Sequence, residues 1–156
     1  MDRVSPEQRS LNMSAVHSAN TKPEISIRKM LFKEGYRYRL YDKKLPGKPD
    51  IVLKKYNAVI FINGCFWHGH ENCKKAKLPD ANFEFWQSKI NANKLRDQKQ
   101  ISQLIESNWR VLIVWTCALK KSKLDEVFAL ITKWIQGQAV YTEIFFNDAG
   151  FIDVKE

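Results

Sequence analysis

The sequence predicts an α/β fold, a central mixed sheet flanked by helices, in a single domain over residues 1–156. Three observations carry this. Apolar runs of strand length lie at 51–53, 58–62 and 111–115 and are separated by stretches with helical periodicity. One long helical pattern joins the second run to the third, which is the spacing of a parallel crossover. No repeat, low-complexity tract or Gly/Ser-rich linker divides the chain.

Each element has a local cause. Ser5-Pro6-Glu7-Gln8 opens a helix over about residues 5–18, with a capping Ser, a first-turn Pro and a Gln at the capping-box position. Thr21-Lys22-Pro23-Glu24 opens a second, which Gly35 should stop. Residues 36–41 alternate aromatic or apolar with basic side chains and read as a strand. After the turn Leu45-Pro46-Gly47-Lys48-Pro49, strands at 51–53 and 58–62 are joined by a connection short enough for a hairpin. Residues 64–82 mix Gly, Pro, Cys and His without a period, as a loop does. A long helix follows over about 83–107, its stripe formed by Ile90, Ile101, Leu104 and Ile105. The strand at 111–115 and a helix over about 124–136, with Val127, Leu130, Ile131 and Trp134 on one face, are the last elements expected.

Composition narrows the function classes. With 44% hydrophobic and 12% aromatic residues the chain is no disordered tail, and no apolar run approaches the roughly 20 residues of a membrane span. A polar start and three cysteines, too few to pair completely, speak against a secreted disulfide scaffold and for a cytoplasmic protein. Lys and Arg number 26 against 17 Asp and Glu, a net charge of +9, which makes nucleic acid the first partner to consider.

Two constellations carry chemistry. The first is Gly47-Lys48-Pro49-Asp50-Ile51-Val52, where Asp50 starts a strand at the mouth of the sheet and can hold a divalent metal against a phosphate. Asp97 lies on the stripe of Ile90 and Leu104, and Glu24 on that of Ile27 and Leu31, so two helices aim an acid inward. Such groups must be paired, neutralised or bound to metal. Glu24 also fits a capping box, and Asp97 could pair with a basic residue of the sheet.

The second constellation is Cys65-Phe66-Trp67-His68-Gly69-His70-Glu71-Asn72-Cys73 with Cys117. If the strands at 58–62 and 111–115 are parallel neighbours, Cys65 and Cys117 follow them at one sheet edge. Three cysteines and one histidine, either His68 or His70, make a closed zinc site. The spare histidine falls beside Asp50 and suits acid–base work. Asn63 could hydrogen-bond a phosphate or a water. Phe66, Trp67, Phe83, Phe85 and Trp86 sit in or just after this polar loop, placed to stack on bases.

On these residues the chain resembles the very short patch repair (Vsr-type) DNA mismatch endonucleases of the restriction-endonuclease-like superfamily. The resemblance runs through Arg9-Ser10-Leu11-Asn12-Met13, Leu45-Pro46-Gly47-Lys48-Pro49-Asp50, Val59-Ile60-Phe61, Gly64-Cys65-Phe66-Trp67-His68, Phe85-Trp86, Arg96-Asp97 and residues 109–115 with Cys117. It implies a Mg²⁺-dependent enzyme that nicks duplex DNA on the 5′ side of the thymine in a T·G mismatch, in repair of deaminated 5-methylcytosine. By similarity Asp50 binds Mg²⁺, aided by the Ile62 backbone carbonyl, and His68 is the catalytic acid or base. Glu24 and Asp97 support the metal and its waters. Cys65, His70, Cys73 and Cys117 bind structural Zn²⁺, Phe66, Trp67 and Trp86 form a DNA wedge, and the N-terminal helix around Met13 approaches DNA from the other groove. The family often has Thr-His where this chain has Ile62-Asn63; a backbone carbonyl survives that change, a histidine-assisted step does not. The metal loop is also one residue longer, with Gly69 and Glu71-Asn72 in place of a histidine run. A bacterial, monomeric protein is implied, with mismatch-repair accessory proteins as candidate partners. The alternatives are a related nuclease of other specificity and a zinc-stabilised DNA-binding protein without cleavage.

Overall fold

The computed structural model describes residues 21–156. The helix expected over 5–18, and Met13 with it, lies outside the described residues.

Helix α1 (Lys22–Lys33) begins where the sequence places it. Thr21 has extended backbone, and its hydroxyl accepts from the Glu24 N–H at 3.5 Å. Its face of Ile27 and Leu31 is fully buried. Strand β1 is only Arg39–Leu40, shorter than the 36–41 expected. Its partner β2 (Ile51–Leu53) offers few residues, and the pairing stops at Arg39 opposite Val52. The residues before it turn to side-chain contacts: Tyr38 donates its hydroxyl to the Arg28 carbonyl at 3.1 Å, and Tyr36 packs against the Tyr56 ring. The antiparallel hairpin from β2 to β3 (Ala58–Asn63) forms as expected, turned by a short 3-10 segment and by Asn57 at φ 49°. Asparagine is among the residues that tolerate that left-handed geometry best.

Helix α2 (Phe83–Glu106) crosses over to β4 (Arg110–Trp115), which runs parallel to β3 with Ile62 beside Val114. Helix α3 (Leu124–Gln136) returns the chain. At its end Arg110 donates from Nε to the Ala139 carbonyl at 3.0 Å and from its guanidinium nitrogens to the Ile135 and Trp134 carbonyls. A cation therefore sits among the carbonyls at the helix C-terminus, where the dipole favours positive charge.

Two further strands were not expected from the sequence: β5 (Tyr141–Phe146), parallel to β4, and β6 (Ile152–Lys155), antiparallel to β5. The sheet has six strands in the order β1-β2-β3-β4-β5-β6. Period-two alternation splits its faces. Ile60, Ile62, Leu112 and Val114 pack with α1 and α3, whereas Val59, Val111, Ile113 and Trp115 pack with Leu104 of α2. Among the described residues no helix is long and apolar enough to cross a membrane.

Candidate active site and metal centre

The C-terminal ends of β3 and β4 open on one side of the sheet, and both constellations gather there. Asp50 precedes β2, and its Oδ2 accepts the Ile62 N–H at 2.7 Å, which fixes the carboxylate to the rim of β3. Burial pushes this carboxyl up to about 6; the charge of Glu24 adds to the rise, while the Ile62 N–H, His68 and Lys48 oppose it. Glu24 is 5% exposed on α1 and accepts a hydrogen bond from the Tyr41 hydroxyl. The acid thus faces inward, toward the strand side, while its backbone N–H is the group held by the Thr21 cap.

Asp97 pairs with a histidine rather than with a basic residue of the sheet. Its Oδ2 lies 2.6 Å from His68 Nδ1, and Arg96 reaches its other oxygen at 3.4 Å. Holding Nδ1 orients the imidazole and leaves Nε2 to exchange a proton. His68, Asp97 and the buried Asn63 line a cleft of about 470 Å³ together with Lys43, Lys48 and Arg96. The three cations make this cleft attractive to a phosphate. The sequence gives none of the three a role of its own, because single basic side chains look like any solvated surface.

Cys65, His70, Cys73 and Cys117 present ligand atoms that all lie within 4.8 Å of one another. This is the one arrangement of the two histidines that the geometry brings about: His70 joins the cysteines and His68 joins Asp97. The donor set suits a soft or borderline ion in tetrahedral geometry. The Cys117 sulfur beside it holds the Cys65 thiol well below the ordinary range, down to about 3, with His70 and Thr116 acting in the same direction. The same contact pushes Cys117 up. Surrounding groups fix the ligands. The His70 ring stacks on Trp115 with centroids 4.1 Å apart and meets the edge of Phe145. Trp115 donates its indole N–H to Glu143 at 3.2 Å, and the Phe146 N–H points to the Cys117 sulfur at 3.5 Å. Three of these supports come from β5, whose signal, the aromatic-rich Tyr141-Thr142-Glu143-Ile144-Phe145-Phe146 before an Asn-Asp-Ala-Gly turn, was present in the sequence.

The loop between the two sites is tied to α2. Asn93 donates to the Trp67 carbonyl at 3.0 Å. Gly69, at φ +60°, lies so near the helix that a Cβ there would sit 2.7 Å from Ile90 Cγ2. Phe66, Trp67 and Trp86 form one edge-on aromatic cluster with centroids 5.3 to 5.8 Å apart. Phe85 joins it through Trp86 and is 60% exposed.

A mixed sheet with an acid, an acid-oriented histidine and a lysine-lined cleft at one edge is the frame of a DNA endonuclease, and known proteins bear this out. The chain is 48% identical over 118 residues to the type II nicking enzyme V.XorIIP of Xanthomonas oryzae pv. oryzae, covering 76% of this chain and 86% of that one. It is 46% identical over 123 residues to the type II nicking enzyme V.NmeAIP of Neisseria meningitidis, covering 79% and 87%. The family profile of the DNA mismatch endonuclease Vsr matches residues 1–75. The DNA mismatch endonuclease Vsr of Escherichia coli is 43% identical over 139 residues, 87% of this chain and 88% of that protein. The chain belongs to the Vsr family of DNA mismatch endonucleases, with the restriction-endonuclease-like α/β fold that the sequence predicts.

Proposed function

We propose that this protein nicks one strand of duplex DNA on the 5′ side of the thymine in a T·G mismatch, acting as a monomer with Mg²⁺ at Asp50 and structural Zn²⁺ at the Cys65, His70, Cys73 and Cys117 set. The observation that carries the reading is the His68–Asp97 pair at 2.6 Å, set in the same basic cleft as Asn63 and beside the charge of Asp50. An oriented imidazole next to a desolvated carboxylate is the equipment of phosphodiester hydrolysis.

The residues fit both ions. Asp50 and Glu24 are hard oxygen donors whose charges repel in a buried setting, which a divalent cation relieves. Asp50 and the Ile62 carbonyl would hold Mg²⁺, with Glu24 beside them; such an ion activates water and stabilises the leaving oxygen. His68 Nε2 takes or returns the proton of the attacking water while Asp97 keeps the ring in place. Lys43, Lys48 and Arg96 hold the phosphates of the strand, and Asn63 hydrogen-bonds a phosphate oxygen or a water. Phe66, Trp67 and Trp86 enter the base stack, at a cost of a few kcal/mol that is lower at a mismatched step. Met13 would reach the duplex from the other groove, and mismatch-repair accessory proteins would follow the nick.

The test is a nicking assay on T·G, fully paired and branched duplexes, with Mg²⁺ and with a chelator. Cleavage confined to the T·G duplex and dependent on Mg²⁺ is expected. Binding without nicking under any divalent ion would instead support a DNA-binding role, the reading that Asn63 in place of a histidine favours.

A further inference from the structure

Two lysine runs far apart in the sequence begin at the same cage. Lys74, Lys75 and Lys77 follow Cys73, and Lys120 and Lys121 follow Cys117; all five are exposed. The Cys73 and Cys117 sulfurs lie within 4.8 Å of one another, so the fold brings together basic segments that α2 and β4 separate in sequence. Both runs are set in tight backbone. Lys74–Ala76 and Thr116–Ala118 are 3-10 turns, the Ala76 N–H donates to the Cys73 carbonyl at 3.0 Å, and the Lys123 N–H donates to the Lys120 carbonyl at 2.8 Å. Ala76 packs against the apolar cluster that holds Cys65 and Cys117. The Lys120 ammonium stands 3.7 Å from the centre of the Phe146 ring, and the backbone N–H of that phenylalanine points to Cys117. Local charge is not balanced. Neither 72–79 nor 116–124 contains an acid, and just outside them Glu71 pairs with Lys94 at 3.2 Å and Glu126 with Lys123 at 3.9 Å. Among the described residues none of the five lysines forms an ion pair.

We propose that Lys74, Lys75, Lys77, Lys120 and Lys121 form a second phosphate-binding surface, organised by the cysteine–histidine cage, that holds the duplex backbone outside the catalytic cleft. None of the five lines that cleft, whose cations are Lys43, Lys48 and Arg96. The proposal rests on duplex DNA being the substrate and not on the chemistry assigned to Asp50 or His68. Two arguments support this partner. Like charges gathered without acids repel one another, and a row of phosphates relieves that repulsion while releasing its own counterions. The first run also lies beside the aromatic cluster: it belongs to the stretch between Trp67 and Trp86, whose rings lie 5.8 Å apart, so the chain leaves the cluster, passes through the cage and the lysines, and returns. DNA that meets those rings has these lysines next to it. The cage contributes by placement. Segments already docked at one point lose less freedom on binding than lysines on separate loops would.

The test removes charge from the zinc-loaded protein in three double variants: Lys74→Gln with Lys75→Gln, Lys120→Gln with Lys121→Gln, and Lys54→Gln with Lys55→Gln. The last pair is exposed in the turn before β3, at the end of that strand away from Cys65, and removes equal charge from a place the proposal does not use. Binding to a fully paired duplex is followed by fluorescence anisotropy over a range of salt concentrations. Each of the first two variants should lower the slope of log affinity against log salt by about 1.8, two contacts at about 0.9 each. The Lys54 and Lys55 variant should keep the wild-type slope. Zinc content and melting temperature should not change in any of the three, and arginine in place of lysine at the same positions should restore the slope. An unchanged slope in either run variant, or an equal fall in the Lys54 and Lys55 variant, overturns the proposal, because the lysines then act only through net charge. A loss that arginine does not rescue, or that comes with released zinc, is structural and overturns it as well. The binding readout needs no cleavage, so a protein that fails to nick T·G duplex would overturn the proposed cleavage while these slopes still decide the surface.

Discussion

At the scale of single residues, two acids and two histidines divide the work by their partners. Asp50 is held by a backbone N–H in a desolvated position, whereas the attraction to a polyanion comes from the whole excess of 26 lysines and arginines over 17 acids. Asp50→Ala should therefore abolish nicking and leave duplex affinity within a few-fold, as gel-shift and nicking assays on the same preparation would show. The histidines separate by a different readout. His70 lies among three sulfurs, so His70→Ala should release metal and lower the melting temperature, because such an ion contributes folding free energy directly (about 10 kcal/mol or more in zinc-finger peptides). His68→Ala should keep its zinc, its fold and its DNA binding while losing catalysis. Metal content by atomic emission, measured beside the melting curve, decides between them; zinc loss in His68→Ala alone would require the two assignments to be exchanged.

At the scale of elements, the site is legible where strand pairing determines it and illegible where backbone turns do. Ile62 pairs with Val114, and counting three residues on from each gives Cys65 and Cys117, so the parallel neighbours foretold from the crossover bring the thiols together. The stripe on α2 likewise pointed Asp97 at the sheet face, although its partner proved to be a loop histidine. Tyr41 was read as an ordinary strand position, because nothing in the alternation of residues 36–41 announces a left-handed turn. The β5–β6 hairpin was passed over because its inward residues, Thr142 and Ile144 on one face and Tyr141 and Phe145 on the other, leave no single apolar period. The aromatic cluster supports a prediction at this scale. Trp67 lies half-buried in a loop that Asn93 and the close approach at Gly69 clamp to α2, and its ring packs against Phe66 and Trp86, so it is held rather than loose. Trp67→Ala should reduce T·G nicking far more than binding to paired duplex at one salt concentration. Equal losses would mean that the ring serves only to pack against Phe66 and Trp86.

For the whole molecule, a net charge of +9 and the aromatic cluster beside the site should act on different observables. Phosphate contacts release counterions, so affinity for any duplex should fall steeply with salt, with a slope of about −0.9 per phosphate neutralised. The T·G preference should change little over the same range, because unstacking and aromatic contact carry no net charge. Binding isotherms on matched and mismatched duplexes at several salt concentrations test this; a preference that collapses along with affinity would place the selectivity in the phosphate contacts. The architecture as a whole was read from composition and period. What composition could not supply was the β5–β6 edge, two of the six strands, which lies beyond the last strong helical signal.

The strand order repeats the order of synthesis, β1 through β6, with no strand inserted between earlier ones. A chain leaving the ribosome can lay each new strand on the exposed edge of the one before, without reopening any pair. Cys65, His70 and Cys73 emerge long before Cys117, and the β5 groups that steady the cage emerge later still. A cage that uses all four ligands can therefore close only after β4 and Cys117 have been made. A nascent chain stalled before β4 would display an unpaired strand edge and an incomplete ligand set together.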